Sequence, residues 1–189
     1  MRELSLHILD IAQNSVRAGA KHITISINEN ERGFFVFRIL DDGCGMDEEM
    51  LRKVRDPFVT TRTTRKIGLG IPFVDMVTQQ CDGHLNIKST LGKGTEVAAY
   101  FAAGHLDIPP MGDLGSSVAV LLAGAPNINL RFDYTSPAGS FVFTTEEVRE
   151  VLGSDCDFAN PEIFSWIGQY LNQQLQAVAK GGLDYEKLS

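Results

Sequence analysis

The sequence predicts an α/β two-layer fold, in which helices lie on one face of a mixed, mainly antiparallel β-sheet, followed by a small α+β unit. Three observations lead to this prediction. The first is a helical apolar pattern over residues 3–18. The second is a pair of strand-like stretches at 23–27 and 34–40, and the third is a similar pair at 84–89 and 95–101. Because helices and strands each bury one apolar side, the two layers pack against each other.

Residues 3–18 carry an apolar stripe and a polar stripe on different sides of one predicted helix, which Gly19 ends. The face that carries the apolar stripe consists of Leu4, Ile8, Ile11, Ala12 and the small residue Ser15 at helical spacing. The polar stripe covers about a quarter of the circumference and consists of His7, Asp10, Asn14 and Arg17. Most stripes of this kind are solvated faces, so this one does not define a site by itself.

The aromatic strand 34–40 runs into the turn Asp41-Asp42-Gly43-Cys44-Gly45-Met46. A carboxylate at the end of a buried strand can accept a hydrogen bond from the amino group of a nucleotide base. Glycines let the backbone approach that base closely, since they have no side chain. Asp-Gly also marks ordinary turns, so the motif supports a nucleotide pocket only together with other motifs.

A helix capped by Asp47 is predicted to end before Pro57. Residues 56–67 contain four threonines and three cations with little apolar periodicity, which indicates a loop. The loop leads into Gly68-Leu69-Gly70-Ile71-Pro72, where Pro72 suits the first turn of the next helix.

Residues 104–189 are expected to form an accessory α+β region of unknown function. Residues 104–117 are rich in Gly and Pro and predict a linker. Two helices near the end of the chain are predicted to start at Thr144 or Thr145 and at Asn160. Before them come three strand-like segments, at 118–122, 130–134 and 141–143.

Composition excludes several classes of protein. No apolar run approaches the ~20 residues that span a bilayer, and the N-terminal residues lack an export core, so no membrane association and a cytoplasmic location are expected. The three cysteines are far apart and form no CxxC pair, which argues against a disulfide framework or a zinc site. The net charge of -7 disfavours a nucleic-acid partner.

Four separated motifs in one order resemble those of the GHKL ATPase superfamily, which unites gyrase-type topoisomerases, the large heat-shock chaperone, histidine kinases and mismatch-repair ATPases. Any single motif would be a weak match, whereas four in order are specific. The motifs are an asparagine box of the mismatch-repair form at 10–20, two glycine boxes at Asp41–Gly45 and Gly68–Gly70, and a threonine box at Gly92–Thr95. Pro57-Phe58 with Thr60, Thr61 and Arg62 is similar to the lid of the kinases.

The resemblance covers residues 1–103 and implies a histidine-kinase-like ATP-binding domain with the Bergerat-type fold. It implies ATP and Mg²⁺ as ligands. Asn14 would complete the coordination of the magnesium ion, for which an amide oxygen is a suitable hard ligand. Asp41 would accept a hydrogen bond from the adenine amino group, and the Thr95 hydroxyl would support this contact. A carboxylate at this position prefers adenine over guanine, because guanine presents a carbonyl oxygen at the corresponding edge. Gly43, Gly45 and Met46 complete the expected contacts with the base, and Asp42 is expected to line the pocket.

At the phosphate end, the resemblance implies that Gly68, Leu69 and Gly70 present backbone N–H groups near a helix start. A lid that contains Thr60, Thr61, Arg62 and Lys66 would cover the phosphates. The sequence leaves open which of Arg62, Arg65 and Lys66 reaches the γ-phosphate, and a solvated basic loop is the alternative for each.

The role of Asp10 bears on whether the protein hydrolyses bound ATP. Hydrolysing members of the family place a carboxylate, usually Glu, one helical turn before the magnesium-binding Asn, where it polarises the attacking water. Asp10 has this spacing from Asn14 but is one methylene shorter than Glu. A catalytic general base and a structural carboxylate therefore both remain open for Asp10.

The function predicted is a stand-alone Mg-ATP-binding protein of the histidine-kinase type, with weak ATPase or protein kinase activity on a separate partner. Anti-sigma-factor serine kinases are a precedent for a compact domain of this kind. The alternative is a non-catalytic, ATP-gated protein-binding switch. A DNA-repair-type clamp is a third hypothesis, favoured by the asparagine box and opposed by the acidic charge. A homodimer is left open.

Overall fold

The computed structural model describes residues 3–54 and 70–178, which form one six-stranded sheet and six helices. The helices are α1 (Leu4–Arg17), α2 (Glu48–Lys53), α3 (Gly70–Gln80), α4 (Leu114–Gly124), α5 (Thr145–Leu152) and α6 (Pro161–Val178). The strands are β1 (His22–Glu31), β2 (Phe34–Asp41), β3 (His84–Thr90), β4 (Gly94–Ala102), β5 (Asn129–Ser136) and β6 (Gly139–Thr144). Within these ranges no helix has the length and apolarity needed to cross a membrane.

The strand order is β3-β4-β2-β1-β5-β6, and every neighbouring pair is antiparallel except β1 with β5, which is parallel. The predicted α/β two-layer fold with a mixed, mainly antiparallel sheet is confirmed. β1 alternates between buried and more exposed residues over most of its length, because successive side chains point to opposite faces of a sheet. The register places Ile25 of β1 between Ile39 of β2 and Phe132 of β5, so one apolar layer crosses the sheet. This layer and the helices enclose a single core.

The C-terminal strands β5 and β6 join the same sheet as β1 to β4. The joint is the parallel ladder between β1 and β5, which runs from His22 opposite Asn129 to Asn28 opposite Thr135. The division of the chain into a domain at residues 1–103 and an accessory region at residues 104–189 stays a prediction.

The expected strand at 118–122 is wrong, because these residues lie in α4, which starts at Leu114 inside the expected linker. α4 contacts both α1 and α6 and buries most of its side chains, so its apolar residues show no helical period. A local signal for the helix was nevertheless present. The carboxylate of Asp113 accepts a hydrogen bond from the backbone N–H of Ser116 at 2.9 Å, which is an N-cap interaction.

Candidate functional site

Asp41, at the end of β2, is a buried carboxylate with two hydrogen bonds that orient it. Its Oδ2 accepts from the hydroxyl of Ser15 at 2.6 Å, and its Oδ1 accepts from the backbone N–H of Gly43 at 2.9 Å. Asp41 is only 8% exposed. An ionised carboxylate has about four lone-pair sites. Each Asp41 oxygen therefore retains acceptor capacity for a further donor.

Thr95, which the resemblance implies as a supporting hydroxyl, lies directly opposite Asp41 in the β2–β4 ladder. Its hydroxyl is 2.9 Å from the hydroxyl of Ser89 on β3. The Ser89 Oγ also accepts from the backbone N–H of Met46 at 2.8 Å. The sequence analysis missed Ser89. Ser89 lies two residues after Ile87 on β3, so its side chain points to the same face of the sheet as that buried residue. A polar residue in this alternating pattern is the sequence signal that could have identified it.

The glycine turn after β2 packs closely on the β3–β4 turn. Gly45 has a φ of 64°, and a Cβ there would lie 2.0 Å from the carbonyl oxygen of Thr90. Gly94 has a φ of 109°, and a Cβ there would lie 1.9 Å from the carbonyl oxygen of Asp41. The two turns are also joined by the N–H of Gly92, which donates to the carbonyl of Cys44 at 2.7 Å. The space beside Gly45 is therefore occupied by the protein backbone.

A cleft of about 480 Å³ opens at the ends of β2, β3 and β4. Asp41, Ser89 and Thr95 contribute polar groups to its lining. Lys88 and Lys93 contribute positive charge, and Glu96 contributes negative charge. The cleft has the mixed polar and apolar lining typical of small-molecule sites.

Asp10 and Asn14 are half-buried on α1, where Gly70 packs against both. A Cβ on Gly70 would lie 3.3 Å from the Cβ of Asp10 and 4.0 Å from the Nδ2 of Asn14. The side-chain oxygen of Asn14 accepts from the guanidinium of Arg17 at 3.0 Å. The structure thus brings together three residues that the sequence analysis placed at the phosphate end.

Hard oxygen donors suit Mg²⁺, which keeps several waters and takes one or two protein ligands. The half-buried amide oxygen of Asn14, with the carboxylate of Asp10 one turn away, fits that need once Arg17 moves aside. The Arg17 side chain is exposed. Within residues 3–54 and 70–178 no cluster of three or more His, Cys, Asp or Glu side chains is arranged to hold a metal.

Asp42 was expected to line the pocket, but its carboxylate is bound on the other side of the turn. Its Oδ1 accepts from the backbone N–H groups of Lys21 at 2.7 Å and His22 at 2.8 Å, and its Oδ2 is 2.8 Å from the Nδ1 of His22. The hydrogen bond from the His22 backbone is the main cause that lowers the pKa of Asp42 to about 2. The Asp42 carboxylate therefore stabilises the start of β1 through its hydrogen bonds to Lys21 and His22.

This interaction continues into the C-terminal region, which the sequence analysis did not anticipate. The Nε2 of His22 is 3.2 Å from the side-chain nitrogen of Asn129, at the start of β5. The oxygen of the same amide accepts from Arg149 of α5 at 2.7 Å. A chain of polar contacts thus joins the residue next to Asp41 to α5.

Six residues predicted for the lid and the second glycine box lie outside the described residues: Thr60, Thr61, Arg62, Lys66, Gly68 and Leu69. The same is true of Arg65, Pro57 and Phe58. Their proposed contacts with phosphate stay predictions.

The mixed sheet, the helices on one face and the polar cleft at the strand ends define an α/β two-layer protein with a site for a small polar ligand. More specifically, the chain belongs to the family described as histidine kinase-, DNA gyrase B-, and HSP90-like ATPase, whose model matches residues 2–105. The resemblance to the GHKL superfamily is confirmed. An ATP-binding domain follows from membership of this family.

Curated relatives include kinases. Sporulation kinase C of Bacillus subtilis (strain 168) is 30% identical over 94 residues, which are 49% of this chain and 22% of that protein. Sensor kinase CckA of Brucella abortus (strain 2308) is 30% identical over an alignment 157 residues long, which covers 70% of this chain and 16% of that protein. The chain thus spans less than a quarter of the length of these relatives.

A solved structure, the crystal structure of the N-terminal domain of a DNA repair protein, has a similar fold. Its TM-score is 0.57 at 14% sequence identity, and the alignment covers 82% of this chain and 58% of that chain. The similarity reaches beyond residue 105, so part of the C-terminal region also follows this fold.

Proposed function

We propose that this chain binds Mg-ATP in the cytoplasm and acts as a weak ATPase or a protein kinase on a separate partner protein. The observation that carries the proposal is the position of α1. Ser15 of this helix binds Asp41, at the expected base end, while Asn14 lies beside Gly70, at the expected phosphate end. Adjacent residues of one helix therefore set both ends of the proposed site.

Adenine would be recognised by Asp41. The Ser15 hydroxyl and the Gly43 N–H fix the carboxylate, which still has lone pairs for the adenine amino group. The Thr95 hydroxyl opposite it is oriented by Ser89 and supplies a second polar group. Guanine would place a carbonyl oxygen against the carboxylate, so the site favours adenine.

Asn14 would hold a magnesium ion through its amide oxygen. Such an ion, when bound, neutralises negative charge on the phosphates. The chain's own contribution is to present the Asn14 oxygen from a helix that is fixed by Leu4, Ile8 and Ile11 in the core.

Asp10 is the proposed general base. In hydrolysis the water oxygen bonds to the γ-phosphorus, the bond from that phosphorus to the β,γ-bridging oxygen breaks, and a water proton passes to the Asp10 carboxylate. ADP and phosphate are the products. In a kinase reaction, a side chain of the partner replaces water as the attacking group. The two relatives named as kinases support phosphoryl transfer to a protein.

ATP binding is tested by isothermal titration of Mg-ATP into the wild type, Asp41→Asn and the control Asp133→Asn. Asp133 lies on β5 and pairs with Arg131, away from the cleft. Hydrogen bonds to charged groups contribute about 1.5–3 kcal/mol, so Asp41→Asn should weaken binding by about 10- to 100-fold. Asp133→Asn should bind as the wild type does. Equal affinities for all three proteins would refute the proposed pocket.

The fate of the γ-phosphate separates the activities. With γ-labelled ATP and co-purified partner proteins, label on a protein indicates a kinase and free phosphate indicates an ATPase. Asp10→Asn should bind ATP as the wild type does and should slow turnover by about 100-fold or more, in line with general-base contributions. If Asp10→Asn turned over ATP at the wild-type rate, Asp10 would not be the general base.

The alternative function is a non-catalytic, ATP-gated protein-binding switch. The short Asp10 side chain at the position usually occupied by Glu favours it, because the carboxylate reaches less far toward a water. If neither label transfer nor free phosphate is detected, while partner binding differs between ATP and ADP, the switch replaces the enzyme as the conclusion.

A further inference from the structure

An apolar groove lies between α5 and α6, beside the end of β6. It has a volume of about 430 Å³. Its apolar lining includes Phe143, Val148, Val151, Leu152, Ile163 and Trp166. The groove shares no lining residue with the cleft around Asp41.

The walls of this groove are two apolar helix stripes that are only partly covered. On α5, Val148 is 5% exposed, but Val151 is 82% exposed and Leu152 is 50% exposed. On α6, Trp166 is 48% exposed and stacks on Tyr170 with ring centroids 5.4 Å apart. These residues follow helical spacing, so each stripe is continuous along its helix. Such a contiguous apolar surface marks an interaction site more often than isolated exposed residues do.

The rim of the groove is acidic. Residues 139–178 contain six acidic side chains and one basic side chain, and Glu147 and Glu162 line the groove itself. The one basic residue, Arg149, does not offset this charge at the rim. Its guanidinium donates to the carbonyls of Pro126 and Ile128 at 2.9 and 3.0 Å and lies over the ring of Phe158.

We propose that the α5–α6 groove binds an amphipathic helix of a partner protein that carries basic residues beside its apolar face. An apolar groove between two helices is a recurring receptor for an amphipathic helix. The acidic rim favours a positively charged partner helix, because basic residues on that helix would face Glu147 and Glu162. This inference concerns where a partner docks and goes beyond the proposed use of ATP.

Charge also argues against three other occupants. A second copy of the chain related by twofold symmetry would bring two acidic rims together. An anionic membrane surface would be repelled in the same way. Residues 179–189 of this chain contain two acidic and two basic side chains, which gives them no net charge to complement the rim.

The test uses two synthetic peptides of about 18 residues with the same leucine face, one with lysine and one with glutamate on the polar face. Trp166 is the only tryptophan in the chain, so its emission reports directly on the groove. Addition of the lysine peptide to the full chain should shift this emission to the blue and saturate. The glutamate peptide should bind at least about tenfold more weakly.

Variants keep Trp166 and change the walls and the rim. Val151→Asp should weaken binding of the lysine peptide at least about tenfold, and so should the double variant Glu147→Lys, Glu162→Lys. The control is Leu106→Asp, because Leu106 is 98% exposed and outside the groove. It should bind as the wild type does. All of these residues are exposed, so the variants should fold.

Several outcomes would overturn the proposal. They are equal affinity for the two peptides, no change in Trp166 emission, or an equal loss of binding in Leu106→Asp. Concentration-dependent dimerisation abolished by Val151→Asp would assign the groove to a second copy. A rise in affinity on removal of residues 179–189 would assign it to that segment. None of these measurements requires ATP, so failure here is distinct from failure of the proposed nucleotide site.

Discussion

The polar cleft at the ends of β2, β3 and β4 and the α5–α6 groove lie beside one sheet but are built by different physical means. The cleft depends on hydrogen bonds that fix polar groups, as Ser15 and Gly43 fix Asp41. The groove depends on ordinary core-type residues that are left uncovered, such as Val151 and Trp166. A site for a small polar ligand needs particular residue types at particular backbone positions. A docking surface needs only apolar residues with nothing packed on them. In the sequence, such residues cannot be distinguished from residues of the buried core.

The largest expected effect tests whether the two regions form one cooperative unit. Phe132 of β5 is fully buried and lies opposite Ile25 of β1. Phe132→Ala should lower the free energy of unfolding by about 3–5 kcal/mol, because it leaves a cavity in the shared core. Urea unfolding followed by Trp166 fluorescence and by far-UV circular dichroism should give coincident transitions, both shifted to lower urea.

Separate transitions with only the fluorescence curve shifted would instead show that the two regions unfold independently. Val142→Ala provides the comparison on edge strand β6, because Val142 is 43% exposed. Its cost should be less than about 1 kcal/mol.

The second effect concerns the contact between the two turns of the cleft. Gly45→Ala and Gly92→Ala both place a side chain at positive φ, at 64° and 77°. Only at Gly45 would the new Cβ meet another atom, the Thr90 carbonyl oxygen. Gly92→Ala should cost about 1 kcal/mol from backbone strain, and Gly45→Ala should cost about 1–3 kcal/mol more. Gly45→Ala should also weaken ATP binding.

Chemical denaturation of both glycine variants and titration with Mg-ATP provide the measurements. If the two variants are equally stable, the packing between the turns contributes nothing, and the glycine would be required for φ alone.

A smaller effect concerns the polar chain that links the cleft to α5. The lowered pKa of Asp42 means that its charged form stabilises the folded state above the unfolded value of 3.8, and that this stability is lost as pH falls through about 2. In Asp42→Asn that pH dependence is absent. The difference in unfolding free energy between wild type and variant should be constant above about pH 5 and shrink between about pH 4 and 2.

The size of this difference should be at most about 1 kcal/mol, because Asp42 is 42% exposed and water screens its interactions. Thermal melts across this pH range give the result. A difference that stays constant down to pH 2 would show that the charge of Asp42 has no role in stability.

The smallest expected effect is at Glu29 on β1, whose carboxylate accepts a hydrogen bond from the hydroxyl of Tyr134 on β5. Burial raises the pKa of Glu29 above its ordinary value of 4.5. The neutral form therefore stabilises the fold below pH 4.5, and this contribution is lost as pH rises through the raised pKa. Glu29→Gln is neutral throughout, so its stability relative to wild type should increase with pH over that window.

Denaturation of both proteins at several pH values would show how the difference in their unfolding free energies changes with pH. A destabilisation by the amide that does not depend on pH would not affect this slope. A relative stability that is flat with pH would mean that Glu29 is charged in the folded protein over the same range as in the unfolded chain.

The sequence predicted the cleft better than it predicted the C-terminal region, for identifiable reasons. The polar stripe of α1 and the turn after β2 depend on local spacing, and in the structure Asp10 and Asn14 lie beside Gly70. The strand expected at 118–122 failed because α4 is buried on several sides, which removes the helical period. The pairing of β1 with β5 has no local signal at all, since it is decided by packing between distant residues. The orientation of Asp42 depends on His22, a contact that no short motif encodes.

The parallel ladder between β1 and β5 also has a consequence for the order of events during synthesis. Its first pair, His22 and Asn129, is 107 positions apart in the chain. Until the ribosome has made β5, one side of β1 is an unpaired strand edge with Ile23, Ile25 and Ile27 on one face, and such edges promote aggregation. Closing a contact over this separation is slow compared with forming the β1–β2 hairpin. The second side of β1 is therefore paired only after β5 has been made, at the ladder that joins the N-terminal and C-terminal regions.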